Sequence, residues 1–313
     1  MADNGLSRVQ QNAGYLFFGV VIGNVASFFF RVLLGQEFGP EGFGVFSLAL
    51  MTTSIATMVA RLGLPDGVTT FVSKYREREE YDRLNGVVIA SFSLSLVASL
   101  IITGVVILVA PLLSKTFDSP ALTEVLWWFS WVIPANVITD VSAAYFLGLQ
   151  RGEYKTLIKF ITPKILLLVL VIAIVVIDGP LVAVGMAYLA SVVFAAALGV
   201  TAVSRSLVWD KVGSTTFEWN ELLTYSVPLM ATSTVGFFLN WTDTFVIGYF
   251  LGSGSVGVYQ SAFLLAGNIG VVLGAVSGSL FPNFAELLAD DQYDTIRQRF
   301  REGTRWALLI SMA

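Results

Sequence analysis

Of the charged side chains inside long apolar runs of this sequence, five stand out: Arg31, Arg61, Asp140, Lys164 and Asp243. A charge surrounded by hydrocarbon is costly, so where one persists it faces a bundle interior, a partner or a wet cavity. Two of the five share a helical face with smaller polar residues. Asn24, Ser27 and Arg31 fall at i, i+3 and i+7, and Ser47, Ser54, Thr57 and Arg61 line up in the same way. An arginine at the end of such a stripe suits a phosphate, because its planar fork donates paired hydrogen bonds and keeps its charge. Both stripes therefore read as candidate walls of a polar cavity in the bundle interior. The competing reading is snorkelling, with the guanidinium reaching a nearby interface along its own stem.

The other three charges form two expected contacts. Asp140 and Lys164 lie at equal offsets from a turn centred near residue 152, so an antiparallel hairpin places them at equal depth. They are expected to pair, since neither tolerates burial alone; Lys159, one turn nearer the surface, is expected to snorkel. Asp243 is expected either to touch Arg31 as a gate or to hold a coupling cation or proton. Asn240, Tyr225, Gln260 and Asn268 are weaker cavity candidates, of the kind that more often hydrogen-bond between helices.

The chain has no histidine and no cysteine. That removes thiolate metal sites, cysteine nucleophiles and the commonest general base. No nucleophile–base pair is visible, so the expectation is a protein that is not an enzyme and uses no cofactor or metal. The sequon "NWT" at Asn240 lies inside an apolar run, where it is not expected to be glycosylated. "DDQYD", residues 290–294, is a solitary acidic motif and reads as solvated charge patterning.

The elements that must carry these residues follow from composition. The 313 residues are 56% hydrophobic and only 13% charged, against about a quarter charged in soluble domains. Apolar runs cover roughly 13–34, 43–64, 86–111, 122–149, 157–177, 180–203, 222–251 and 256–282, each long enough for the ~30 Å hydrocarbon layer. None alternates as barrel strands do. The fold class is an all-α polytopic membrane protein. A further run starts near residue 303 and reaches only Ala313, too short to span, so the sequence is expected to be part of a longer protein.

With the N-terminus cytoplasmic, every one of the 18 Lys and Arg except Arg31 and Lys115 falls on the inner side or in the inner half of a span, as the positive-inside bias requires. The segment 66–85 places Val68, Phe71, Val72 and Tyr75 on one helical face, expected to lie along the membrane surface. The net charge of −4 gives no support for nucleic-acid binding. Residues 204–220 form a long polar break between spans six and seven, giving an expected division into a first six-helix bundle (1–203), a cytoplasmic linker (204–220) and the start of a second bundle (221–313).

The halves look duplicated. "LLGQEFGPEGFGVFSLA" (33–49) aligns without gaps to "VIGYFLGSGSVGVYQSA" (246–262), matching Gly35, Gly39, Gly44, Val45 and Ala49 to Gly248, Gly252, Gly257, Val258 and Ala262. "EYDRL" (80–84) then matches "QYDTI" (292–296) with a one-residue slip. Span one thus corresponds to span seven, and Arg31 to Thr244. Two halves starting on the same side are parallel repeats, a known transporter plan with the route between them. The glycines are read as turn residues.

The succession "RVLLGQEFGPEGFGVFSLAL", "LGLPDGVTTFVSKYRE" and "DTFVIGYFLGSGSVGVYQSAF" resembles the polysaccharide-transporter branch of the MOP exporter superfamily, which contains the Wzx-like flippases of lipid-linked oligosaccharides. The resemblance covers the whole sequence. It implies a MOP/MATE-like two-bundle fold of parallel six-helix repeats, with the second bundle incomplete, in the cell membrane. It also implies cavity arginines on the first two helices, which Arg31 and Arg61 match in kind and place. The implied activity is alternating-access export of a lipid-linked glycan carried on polyprenyl or dolichyl phosphate or pyrophosphate, with membrane lipids and glycan-assembly proteins as further partners. A multidrug or cation antiporter of the same superfamily is the alternative, and a membrane enzyme of glycan assembly a third class.

Overall fold

In the computed structural model, the described residues are 3–207, 219–289 and 293–312, and they are helical almost throughout. The elements are α1 (Asp3–Ala60), α2 (Leu64–Glu77), α3 (Tyr81–Thr116), α4 (Ala121–Phe129), α5 (Val132–Gly148), α6 (Gly152–Lys155), a π-helical turn (Thr156–Ile161), α7 (Thr162–Val176), α8 (Leu181–Ser206), α9 (Trp219–Ala289) and α10 (Tyr293–Met312). Among the described residues, five helices are long and apolar enough to cross a membrane, or six if the pair 219–236 and 238–264, bent by 53°, counts as one broken span. The protein is multi-pass.

α1 is counted once but folds back on itself. Helical geometry fails only at Gly39, with φ 65° and ψ −174°, a region open essentially to glycine alone. The rings of Phe30 and Phe46 are 5.2 Å apart. On a straight helix sixteen residues would separate them by about 24 Å, so the chain reverses at Gly39 and Pro40 starts the return. The expected eight-residue turn is thus a one-residue break. α9 carries the same device at Gly252, φ 78° and ψ 177°, the position that the repeat pairs with Gly39.

The two larger of three apolar clusters among the described residues hold most of the first bundle. One centres on Phe46, whose ring meets Phe30, Phe129 and Tyr188 edge-on, while Phe129 and Tyr188 stack at 5.1 Å. The other contains α2. Val68, Phe71, Val72 and Tyr75 do share a face, but each is at most 5% exposed, packed with Val141, Tyr145 and Phe146 of α5. The expected surface-lying helix is therefore built into the protein: Gly148 leaves room for Val72, and the Thr69 hydroxyl donates to the Ala144 carbonyl at 3.2 Å. An amphipathic face fits a protein groove as well as a lipid surface; the small residue at Gly148 selects the groove.

The chain forms two compact units, 1–258 and 259–313. Most of the expected linker, 208–218, lies outside the described residues, as do Asp290 and Asp291 of the acidic motif. The second unit contains the end of α9 and helix α10, whose segment 293–305 is largely exposed.

Candidate functional site

The charges converge in the first bundle, though not in the expected pairs. Asp140, on α5 and 5% exposed, accepts from Lys159 Nζ at 2.5 Å on Oδ1 and forms an ion pair with the Arg61 guanidinium through Oδ2. α5 ends at Gly148 and α6 starts at Gly152, so the turn centres on Gln150, φ 58°. Counted from that centre, Asp140 is ten residues before and Lys159 nine after, while Lys164 is fourteen after and lies deeper. The expected Asp140–Lys164 pair is corrected accordingly, and so is the snorkelling of Lys159. Lys159 sits within the π-helical turn, whose extra residue per turn changes which side chains face the neighbouring helix.

Arg61 reaches Asp140 because α2 continues the chain alongside α5. Moving along both segments in the same direction, Arg61 meets Asp140, Thr69 meets Ala144 and Val72 meets Gly148. Arg61 and Lys159 are each 37% exposed in their side chains, so the carboxylate is buried while both cations keep an open side. The triad holds two positive charges against one negative.

Lys164 donates instead to Asn24 Oδ1 at 3.2 Å, which brings α7 onto the first polar stripe. Gly23 makes room: a Cβ there would lie 2.5 Å from the Phe160 carbonyl and 2.9 Å from Lys164 Cδ. Arg31 is close enough to act electrostatically on both Lys164 and Tyr188. Tyr188 lies near Asn136, one turn before Asp140 on α5. Arg31 is half-buried. Ser27 and Ser54 are half-buried. Thr57 is buried and donates to the Thr53 carbonyl at 2.6 Å, as Ser47 does to Phe43 at 2.8 Å. Their donors are therefore satisfied within α1, leaving lone pairs but no proton for a ligand.

Asp243 accepts from the Thr244 amide at 2.6 Å and from the Thr244 hydroxyl at 3.3 Å. No ion pair between Asp243 and Arg31 is found among the described residues. The two copies meet through glycine instead. A Cβ on Gly44 would lie 1.8 Å from the Ser253 carbonyl, and one on Gly257 would lie 1.7 Å from the Pro40 carbonyl. These matched glycines are close-approach positions, not turn residues as expected; only Gly39 and Gly252 make the turns. At the other end Thr70 meets the Tyr225 hydroxyl at 3.3 Å and Lys74 pairs with Glu221 at 3.2 Å. The side chain of Asn268 lies outside the described residues.

Asn136 and Tyr188 were not singled out by their sequence context. The four-residue spacing of Asn136 and Asp140 was the usable signal for the first of the α5 pair; a lone tyrosine in an apolar run gave none.

Comparison with known proteins agrees with this architecture. Stage V sporulation protein B of Bacillus subtilis (strain 168) is 28% identical over 123 residues, a match that spans 39% of this chain and 24% of that protein. An inward-facing multidrug-resistance MATE transporter of the MOP superfamily superposes with TM-score 0.68 at 17% identity, covering 92% of this chain and 68% of its own. A MOP transporter from Pyrococcus furiosus, described as having a binding pocket of reverse polarity that suggests a different function, gives 0.62 at 17% identity over 96% and 69%. These structures establish the fold: an all-α, two-bundle MOP transporter fold. Residues 9–288 match the family described as Polysaccharide biosynthesis protein, and the chain belongs to that family.

Proposed function

We infer that the protein moves a lipid-linked oligosaccharide across the cell membrane by alternating access, with its phosphate or pyrophosphate drawn to Arg31, Arg61, Lys159 and Lys164. One observation carries this reading. Among the described residues, four cations of the apolar bundle stand against one buried carboxylate, Asp140. The lipid tail can stay in hydrocarbon; the phosphate needs replacement of its water by charge and hydrogen bonds. Arginine and lysine at partly open positions supply both. Asp140 serves as the resident counter-ion, which holds the two cations in place until a phosphate competes for them.

An antiporter of cationic substrates on the same fold would need an acidic cavity, and Asp140 is already outnumbered by the cations it binds. The reverse-polarity pocket attributed to the Pyrococcus furiosus transporter is a precedent for charge inversion on this fold. The biased distribution of Lys and Arg supports a cytoplasmic N-terminus. Enzymes of glycan assembly are then the natural suppliers of the substrate on that side.

The test is reconstitution in vesicles with a fluorescent polyprenyl-pyrophosphate oligosaccharide, scoring access of an impermeant quencher. The expected result is protein-dependent transfer between leaflets. Gradient-driven accumulation of a cationic dye, without transfer of the glycolipid, would overturn the reading in favour of the antiporter.

A further inference from the structure

A second basic site lies at the end of the first bundle where Lys and Arg crowd, apart from the buried charges. A cavity of about 470 Å³ opens between the last turn of α2, the first turn of α3, the α5–α6 turn and the end of α8. Arg76, Arg151 and Arg205 line it, and no aspartate or glutamate does. Arg76 donates to the Leu149 carbonyl. Arg151 and Arg205 have no side-chain hydrogen bond or ion pair among the described residues.

Arginines near helix C-termini offset the local dipole, and that alone explains one at each end. It does not explain three converging on a void with rigid walls. The floor is Tyr145, 1% exposed, whose hydroxyl accepts from Ser206 at 3.0 Å. One side is the stack of Phe146 on Tyr154, 4.4 Å between centroids. Three like charges around a shared space repel unless an anion sits between them, and guanidinium forks fit phosphate oxygens best. Basic pockets between spans on the cytoplasmic side are characteristic places for anionic headgroups.

We propose that this cavity binds a phosphate group, that of an anionic lipid headgroup or of a soluble phosphate compound, through Arg76, Arg151 and Arg205. The site stands at the bundle's end, walled off by Tyr145, and does not depend on the transport reading. Arg151 and Arg205 are exposed and bond to nothing else in the described structure, so their replacement leaves the fold intact; Arg76 also ties α2 to α5 and is left unchanged.

The experiment uses the full chain in phosphatidylcholine nanodiscs. One arm adds phosphatidylglycerol to the discs and counts retained lipid by native mass spectrometry; the other titrates inorganic pyrophosphate and follows the unfolding temperature. Arg151→Gln and Arg205→Gln are each expected to weaken binding about tenfold, the loss of one charge-assisted contact. Retention of phosphatidylglycerol alone assigns a lipid headgroup, and a response to pyrophosphate assigns the free anion. No binding in either arm, or binding that both variants leave unchanged, overturns the proposal. Neither result bears on glycolipid transfer, so the two readings fail separately.

Discussion

The two copies of the repeat agree in their glycines and differ in their charges. Gly39 and Gly252 adopt nearly the same left-handed, glycine-only backbone, and Gly44 and Gly257 press backbone to backbone across the junction of the copies. Where the first copy has Phe30 and Arg31, the second has Asp243 and Thr244, and Thr244 is fully buried. Arg61, Asp140, Lys159 and Lys164 also all belong to the first bundle. The two copies thus share a backbone frame at these positions without sharing their charges. A frame needs the same backbone geometry twice; its charges need not repeat.

The largest expected effect is on the unshared part. Asp140→Asn leaves Arg61 and Lys159 side by side without a counter-ion, and breaking a buried pair in this way costs about 3–5 kcal/mol. A fall of several degrees in the unfolding temperature of the solubilised protein is expected, partly restored by adding Lys159→Gln. Full stability of Asp140→Asn alone would mean that the triad contributes nothing.

The shared part predicts symmetry. Gly44→Ala and Gly257→Ala each drive a methyl into a carbonyl less than 2 Å away, and are expected to destabilise equally, by about 1–3 kcal/mol as overpacking does. Gly254→Ala, with nothing within 4 Å, is the control and is expected to be neutral or mildly stabilising, by under about 1 kcal/mol. Unequal losses at the matched pair, measured by thermal unfolding, would break the symmetry argument.

The smallest effect belongs to the far end of the junction. Lys74 and Glu221 pair at 3.2 Å but are 37% and 47% exposed, so Lys74→Ala is expected to change stability by less than about 1 kcal/mol, and less still at high salt. A salt-independent loss larger than that would show a closure held by side chains at that end too.

Much of the frame was legible in the sequence, because glycine and hydrophobic periodicity report on backbone and burial directly. Gly39 and Gly252 could be paired from the alignment alone, and the apolar face of α2 could be drawn from the spacing of Val68 to Tyr75. What that face packs on could not be read, since a lipid surface and the groove beside Gly148 make the same demand on it. The charged site was half legible. Arg61 and Asn24 lie where their stripes put them, in contact with α5 and α7. The partner of Asp140 was misassigned because depth in a hairpin depends on where the turn centres. Two residues at Gln150, followed by a π-helical turn, exchange Lys164 for Lys159. The arginine cavity at the bundle's end draws on four segments far apart in sequence, and no local pattern announces it.

Transfer of a labelled polyprenyl-pyrophosphate oligosaccharide between leaflets, compared for the unchanged protein, Arg31→Lys and Arg31→Gln at matched reconstituted amounts, tests the cationic site most directly. Removing one charge-assisted contact to phosphate is expected to slow transfer about tenfold in Arg31→Gln, with Arg31→Lys between the two. An unchanged rate in Arg31→Gln would contradict a phosphate path through these cations.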